Sequence, residues 1–483
     1  MSPQRKLLLL GTFVHSRTQQ HLEFLHHAAV AVDEQGKIAA VERDVADVSE
    51  AKERLVKQLG WDEAEVDVTE AAEGQFFFPG FVDTHIHAPQ YANAGIFGKS
   101  SLLDWLETYT FPLEASLKDL SKARRVYSRC VRRTLSHGTT TATYYATIDV
   151  AATNLLADLC LSMGQRAFVG RACMDDPEIN PEYYRDADAA ETLKATQQTI
   201  DHVRGIDPGF DLVSPILTPR FAPSCTREAM AGLARLHRET GLPIQTHISE
   251  NVGEIQLVRR MFPEAGSYAA VYDKYGLLTP KTVLAHAVHL SDAEASLIAQ
   301  KKSKISHCPC SNTCLTSGPA RVRWMWDKGI DVGLGTDMSG GYSPSILEAA
   351  RQAALVSRHV AMGIHVAEGD DAAAAAAAEK EKERVKLTVE EVLYLATRGG
   401  ARCVGLEDKI GGFEVGMEWD AQLVSLSQVS DDGGLEGQDD SDGFVDVFGW
   451  ESWDDRIAKW LYNGDDRNTK RVWVKGRLVH RRN

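Results

Sequence analysis

Between residues 80 and 409 the chain alternates between two hydrophobic rhythms. Short β-branched or apolar runs fall at 81–87, 139–147, 166–174, 211–218, 243–248, 282–287, 304–308 and 331–336. Most are followed by a longer amphipathic or Ala/Leu-rich stretch, as at Glu228–Thr240 and Thr388–Cys403. Strand-length runs alternating with helix-length ones describe βαβ units. Eight such units in this length predict a (β/α)8 barrel of the TIM type. A doubly wound sheet shares the alternation, but no Gly-rich phosphate fingerprint supports it.

The two ends carry a different pattern. Leu7–Leu10 reads as a short strand, Ala28–Val32 and Ile38–Val41 flank a polar turn at Asp33–Lys37, and Arg471–Lys475 and Arg477–His480 flank Gly476. Hairpin patterns at both ends predict one small β-sandwich built from residues 1–79 and 410–483, with the barrel at 80–409 between them. Two low-complexity stretches read as solvated insertions: 366–386, where Ala372–Ala378 runs into Glu/Lys repeats, and the acidic, Gly- and Ser-containing 430–444.

Composition narrows the class. The 483 residues exceed what one core needs, and 43% apolar with 25% charged residues is ordinary for a globular protein. A net charge of −15 repels phosphate backbones and argues against a nucleic-acid partner. No apolar run reaches membrane-spanning length, and the four leucines at Leu7–Leu10 are too few for a secretory segment. Eight cysteines without regular spacing suggest no disulfide framework, so a reducing, cytoplasmic setting is expected.

The strongest chemical signal is Phe81-Val82-Asp83-Thr84-His85-Ile86-His87, preceded by Pro79-Gly80. Side chains alternate along a strand, so His85 and His87 share a face and can grip one metal ion. His247, His286 and Asp337 each close a later predicted strand. Active sites of this barrel form at the C-terminal strand ends, from single residues of several strands. One buried His or Asp there is readily a hydrogen-bonded core group, whereas several, all of zinc-ligand type, point to a metal site. Glu250, three residues after His247, is placed to reach a water at that site, although an acid at a helix N-terminus is the bland alternative.

This set resembles the amidohydrolase superfamily, and longer runs resemble its guanine deaminases. They are Pro79–Gln90, Leu103-Asp104-Trp105-Leu106 with Tyr109-Thr110-Phe111-Pro112, Thr218-Pro219-Arg220-Phe221, Gln245–Asn251, Gly335–Tyr342 and Tyr462–Asn468. The resemblance implies that His85, His87, His247 and Asp337 hold one zinc ion per chain, with His286 beside the reacting water. It implies that Gln90, Arg220 and Phe221 line a purine pocket, bordered also by His87, His247, Glu250 and Asp337, and that the chain forms a homodimer. Cys310 stands where the family usually shows Asn, which bears on the loop after strand seven.

The expected reaction is hydrolysis of guanine to xanthine and ammonia, with Glu250 as proton shuttle, His286 stabilising developing charge, and Asp337 both ligating and accepting a hydrogen bond. Guanine offers paired acceptors at O6 and N7 that suit the Arg220 fork, whereas adenine offers a donor. Strand four, Asp211–Thr218, lacks the lysine a dinuclear centre needs, so one metal is expected. The His-X-Glu/Pro-Cys-X-X-Cys deaminase signature is matched only by chance: His21-Leu22-Glu23 lies far from Pro309–Cys314, whose spacing is one residue too long. Cys308, Cys310 and Cys314 lack a clear fourth ligand and read as buried thiols. The competing readings are an aminohydrolase for 8-oxoguanine, a pterin or a triazine, and a non-catalytic scaffold, which would have lost ligands that are present here.

Overall fold

The structure is a computed structural model that describes residues 5–45, 47–365, 372–430 and 445–482. All eight expected barrel strands are present. They are Phe81–His87, Thr139–Tyr145, Arg166–Gly170 continued by Ala172–Cys173, Val213–Pro215 continued by Thr218–Pro219, Ile244–Ile248, Thr282–His286, Lys304–His307 and Val332–Leu334. The first four form one parallel run and the last four another. Leu217 bridges to Ile244 to join strand four to strand five. Asp337 N donating to His85 O (2.8 Å) and His87 N donating to Met338 O (3.2 Å) join strand eight to strand one. The α/β barrel is therefore closed, and none of these eight strands is left with an open edge.

The sequence explains why these runs are strands. Thr139-Thr140-Thr141-Ala142-Thr143-Tyr144-Tyr145 is β-branched and aromatic, and every residue of it is buried. Burial on both faces is what a parallel strand between a filled barrel and an outer helical layer requires. Ile86 and Ala142 pack outward against Tyr127, Val131 and Leu135 of the helix Leu120–Ser136. Aspartates, serines and threonines start the helices as side-chain caps, for example Asp149 accepting from Ala152 N and Ser291 from Glu294 N.

Strands from both chain ends join one eight-stranded sheet. Its order is Arg477–Arg481, Thr469–Val474, Ala421–Ser425, Gln75–Pro79, Lys6–Thr18, His21–Val32 and Ile38–Glu42, with Val66–Glu70 also pairing with Lys6–Thr18. The expected short strand at Leu7–Leu10 is the start of a 13-residue strand. Phe13, Phe77, Trp419 and Trp473 fill one side of this sheet, and Phe13 stacks on Phe77 at 4.8 Å. The Gln75–Pro79 strand runs straight into barrel strand one, so the sheet is a direct extension of the site-bearing segment. A buried ion cluster adds a second tie. Arg166 of strand three donates to Glu418 Oε2 (2.5 Å) and to both oxygens of Asp420 (3.1 Å each).

Within the first low-complexity stretch, Ala372–Val385 is helical and closes on Asp327 and Arg323 through Arg384, while 366–371 lies outside the described residues. The acidic stretch lies outside them from 431 to 444. No helix among the described residues is long and apolar enough to cross a membrane.

Candidate active site

His85, His87, His247, His286, Glu250 and Asp337 meet at the C-terminal mouth of the barrel, all of them less than one-tenth exposed in side chain or residue apart from His247, which is half-buried. Single ligand atoms of His85, His247, His286 and Asp337 lie within 4.8 Å of one another. His87 Nε2 stands 3.2 Å from His247 Nε2 and 3.3 Å from Asp337 Oδ1. Asp337 Oδ1 is also 3.1 Å from His85 Nε2. Five donors thus surround one point, one more than a tetrahedral ion uses. His286 is the donor that also has another neighbour: its Nε2 lies 3.4 Å from Glu250 Oε2 and 3.8 Å from Asp337 Oδ2.

The backbone places these groups by strain as well as by pairing. Ser249, His286, Ala287 and Asp337 all have left-handed backbone, with φ of 49°, 74°, 53° and 47°. Such residues persist only where the surroundings hold them, and they gather at functional sites. Strand eight ends at Leu334, short of the expected 336, and the chain turns sharply through Gly335. A Cβ at Gly335 would sit 2.7 Å from His85 Cβ, so only glycine lets the two strand ends come this close.

The outer hydrogen bonds fix the imidazoles. His247 Nδ1 lies 2.5 Å from Arg220 O, a carbonyl, so this nitrogen carries the proton and Nε2 offers a lone pair inward. His286 Nδ1 is held the same way by Asn312 Oδ1 at 2.9 Å. Burial pushes His85 below the usual imidazole range, and His87 and His247 well below it. Neutral imidazole is the form that binds metal. His85 Nε2, His286 Nε2 and His87 Nδ1 are buried without a hydrogen-bond partner. The orphaned Nε2 atoms of His85 and His286 face the Asp337 carboxylate and are costly there unless a cation satisfies the cluster, so the donor set fits a divalent ion.

Glu250 is pushed well above the usual carboxylate range by burial, then by the charges of Asp337 and Glu254. Asp337 is held well below that range, because His85, His286 and His87 outweigh its burial. Two carboxyl groups a short distance apart are thus driven in opposite directions, as an acid–base pair needs. Glu250 is placed by the helix Val252–Met261, whose Asn251–Glu254 capping box turns Glu254 Oε2 back onto Glu250 N at 2.8 Å.

A cavity opens onto this cluster. Gln90, Arg220 and Phe221 line it, with Leu102, Trp105, Leu106 and Leu315 as apolar walls. Sequence reasoning missed the group behind them. Glu114, buried, accepts from Arg220 Nη1 (2.6 Å) and Nη2 (3.1 Å), from Gln90 Nε2 (2.8 Å) and from Tyr184 OH (2.5 Å). Arg220 is therefore both a cavity wall and half of a buried ion pair, and its remaining N–H groups are aimed rather than free. Gln90 spends its amide nitrogen on Glu114, which turns its carbonyl oxygen away as an acceptor, 3.4 Å from Ser339 N. The only sequence signal for Glu114 was its place two residues after Phe111-Pro112. Cys310 is a buried free thiol beside Gly341, and the three cysteines of that loop form no ligand cluster among the described residues.

The Amidohydrolase family profile matches residues 76–479. The chain is 45% identical to a probable guanine deaminase of Schizosaccharomyces pombe over 98% of this chain and 83% of that one. It is 39% identical to the guanine deaminase of Homo sapiens over 97% and 95%. A crystal structure of guanine deaminase from C. acetobutylicum with bound guanine in its active site superposes with a TM-score of 0.82 at 30% identity, covering 98% of this chain and all of that one. A profile match over most of the chain, relatives well above 30% identity along nearly its full length, and five metal-type donors at one barrel mouth place this chain in the amidohydrolase family, among its guanine deaminases.

Proposed function

We propose that the protein hydrolyses guanine to xanthine and ammonia with the help of one zinc ion per chain. The observation that carries this reading is a single cavity with a His/Asp cluster at one end and the Arg220–Glu114–Gln90 array at the other. The array offers donors from Arg220 beside an acceptor from Gln90, which matches the carbonyl and adjoining N–H of a guanine edge. His85, His87, His247 and Asp337 would hold the ion, which supplies Lewis acidity that brings the pKa of water to about 7.

This chain's own residues do the rest. Arg220, Gln90 and Phe221 orient the purine so that C2, which bears the exocyclic amine, faces Glu250 and His286. Water adds to C2 while Glu250 takes its proton and passes it to the ring nitrogen. His286, held by Asn312, steadies the charge that develops on the attacking oxygen. Glu250's raised affinity for a proton suits it to carry one between these two stations. Leu102, Trp105 and Leu106 keep bulk water out. The adduct's hydroxyl proton then passes through Glu250 to the amine, the C2–N bond breaks, and ammonia leaves as the C2 carbonyl of xanthine forms.

A substrate panel tests the assignment. Ammonia release is expected to be far more efficient from guanine than from 8-oxoguanine, a pterin or a triazine, and a preference for any of these overturns it. We read the two-ended sheet as the small β-sandwich of residues 1–79 and 410–483 beside the barrel of 80–409, supported by the aromatic core of Phe13, Phe77 and Trp419. A homodimer carries over from the sequence resemblance, and a cytoplasmic setting from the eight irregularly spaced cysteines.

A further inference from the structure

At the opposite end of the barrel from this site, two segments bring six arginines to one groove. Arg129, Arg132 and Arg133 share a face of the helix Leu120–Ser136, at i, i+3 and i+4. Arg477, Arg481 and Arg482 come from the outermost strand of the eight-stranded sheet and its continuation. No carboxylate lines the groove among the described residues. Asp466, behind it, pairs with Arg133 (3.2 Å) and Arg482 (2.7 Å). Arg129, Arg132 and Arg481 have no acidic partner or hydrogen-bond acceptor among the described residues. On a chain of net charge −15, such a single-signed gathering is out of character. It also works against itself: Arg471, on the neighbouring strand, is held below the usual guanidinium value by burial and by Arg481. His480 Nε2 and Arg482 Nε are buried in the same region without partners.

We propose that this groove binds a polyphosphate chain, as carried by a nucleoside triphosphate. Guanidinium forks match phosphate oxygens in pairs, and several of them converging on one groove suit a ligand bearing several adjacent anionic groups. Leu135, Met163 and Val479 give the groove an apolar floor beside the arginines, where a base can lie. Charge on an edge strand also discourages strand addition, but acidic residues would serve that purpose equally well and would suit this acidic surface. Edge protection gives no reason for the arginines of the facing helix. The location is separate from the reaction site. Ser136 closes the helix that leads into the N-terminal end of strand two, whereas Asp337 and the histidines sit at C-terminal strand ends.

Calorimetric titration of the zinc-loaded protein with sodium tripolyphosphate, ATP and adenosine tests the proposal, with wild type compared to R132E/R481E, two exposed positions outside the reaction site. Tripolyphosphate and ATP should each bind once per chain, weaken about tenfold as salt rises from about 50 to about 300 mM, and lose that binding in the variant. Adenosine should not bind, and guanine turnover by the variant should equal wild type, showing that it folds. Tighter binding of ATP than of tripolyphosphate would extend the site to the apolar floor. Absence of binding at millimolar ligand, binding that survives in the variant within about twofold, or adenosine binding as well as ATP would each overturn the proposal.

Discussion

Single residues at the mouth of the barrel have roles that substitutions can separate. Glu250→Gln removes the proposed proton carrier while keeping size, so turnover should fall by roughly 100-fold or more with metal content unchanged. Full activity in that variant would exclude the shuttle. Arg220 needs a paired test, because Glu114 takes both of its terminal nitrogens. Removing one member of a buried ion pair leaves the other charge unpaired, at a cost of about 3–5 kcal/mol. R220M alone should therefore be less stable in denaturant than R220M/E114Q, and both should lose preference for guanine over adenine. A double variant as unstable as the single one would mean the pair carries no coupling. The residues gathered at the barrel mouth and its cavity were legible because each ends a recognisable strand or sits in a run such as Thr218-Pro219-Arg220-Phe221. Glu114 was not. Its partners lie 24, 70 and 106 residues away, and nothing local marks a carboxylate for a distant arginine.

Among the elements, the barrel strands were the readable part, since burial on both faces writes continuous apolar or β-branched runs. The terminal sheet was harder to read. In Lys6–Thr18 and His21–Val32, bulges between Gly11 and Phe13 and between Ser16 and Thr18 break the two-residue period, and His15 and Ser16 are buried polar groups inside it. The positive-φ ends at Ser249, His286 and Asp337 were also silent, because strain depends on what closes around a residue and not on its type. Strand seven makes a testable case. His307, at its end, is buried with both ring nitrogens unpartnered, and burial then the neighbouring His286 push it down to about 3. The unfolded chain takes up this proton near the usual imidazole value of about 6.5, while the folded protein resists until about 3. Stability should therefore fall as pH drops through that window, by about 1.4 kcal/mol per pH unit for this group. His307→Gln should lose less stability than wild type between pH 7 and pH 5.5 in denaturant titrations. Parallel losses would show that His307 is not the group responsible.

In the whole molecule, the reactive end of the barrel is held by what lies beneath it. Arg166 fastens strand three to Glu418 and Asp420 of the terminal sheet, all three buried, and that sheet continues directly into the His85-Ile86-His87 strand. Arg166→Met should strand two carboxylates and lower the unfolding midpoint by the equivalent of about 3–5 kcal/mol, with no direct effect on the cavity. An unchanged midpoint would mean that the barrel and the sheet are joined by packing alone. The account as a whole rests on five donors serving one ion and one reaction. Its most direct test is ammonia release from guanine by chelator-stripped protein as zinc is added back. Activity should be absent at the start, rise in proportion to zinc, and level off at one equivalent per chain. Turnover that persists in the stripped protein, or a rise that continues to two equivalents, would contradict it.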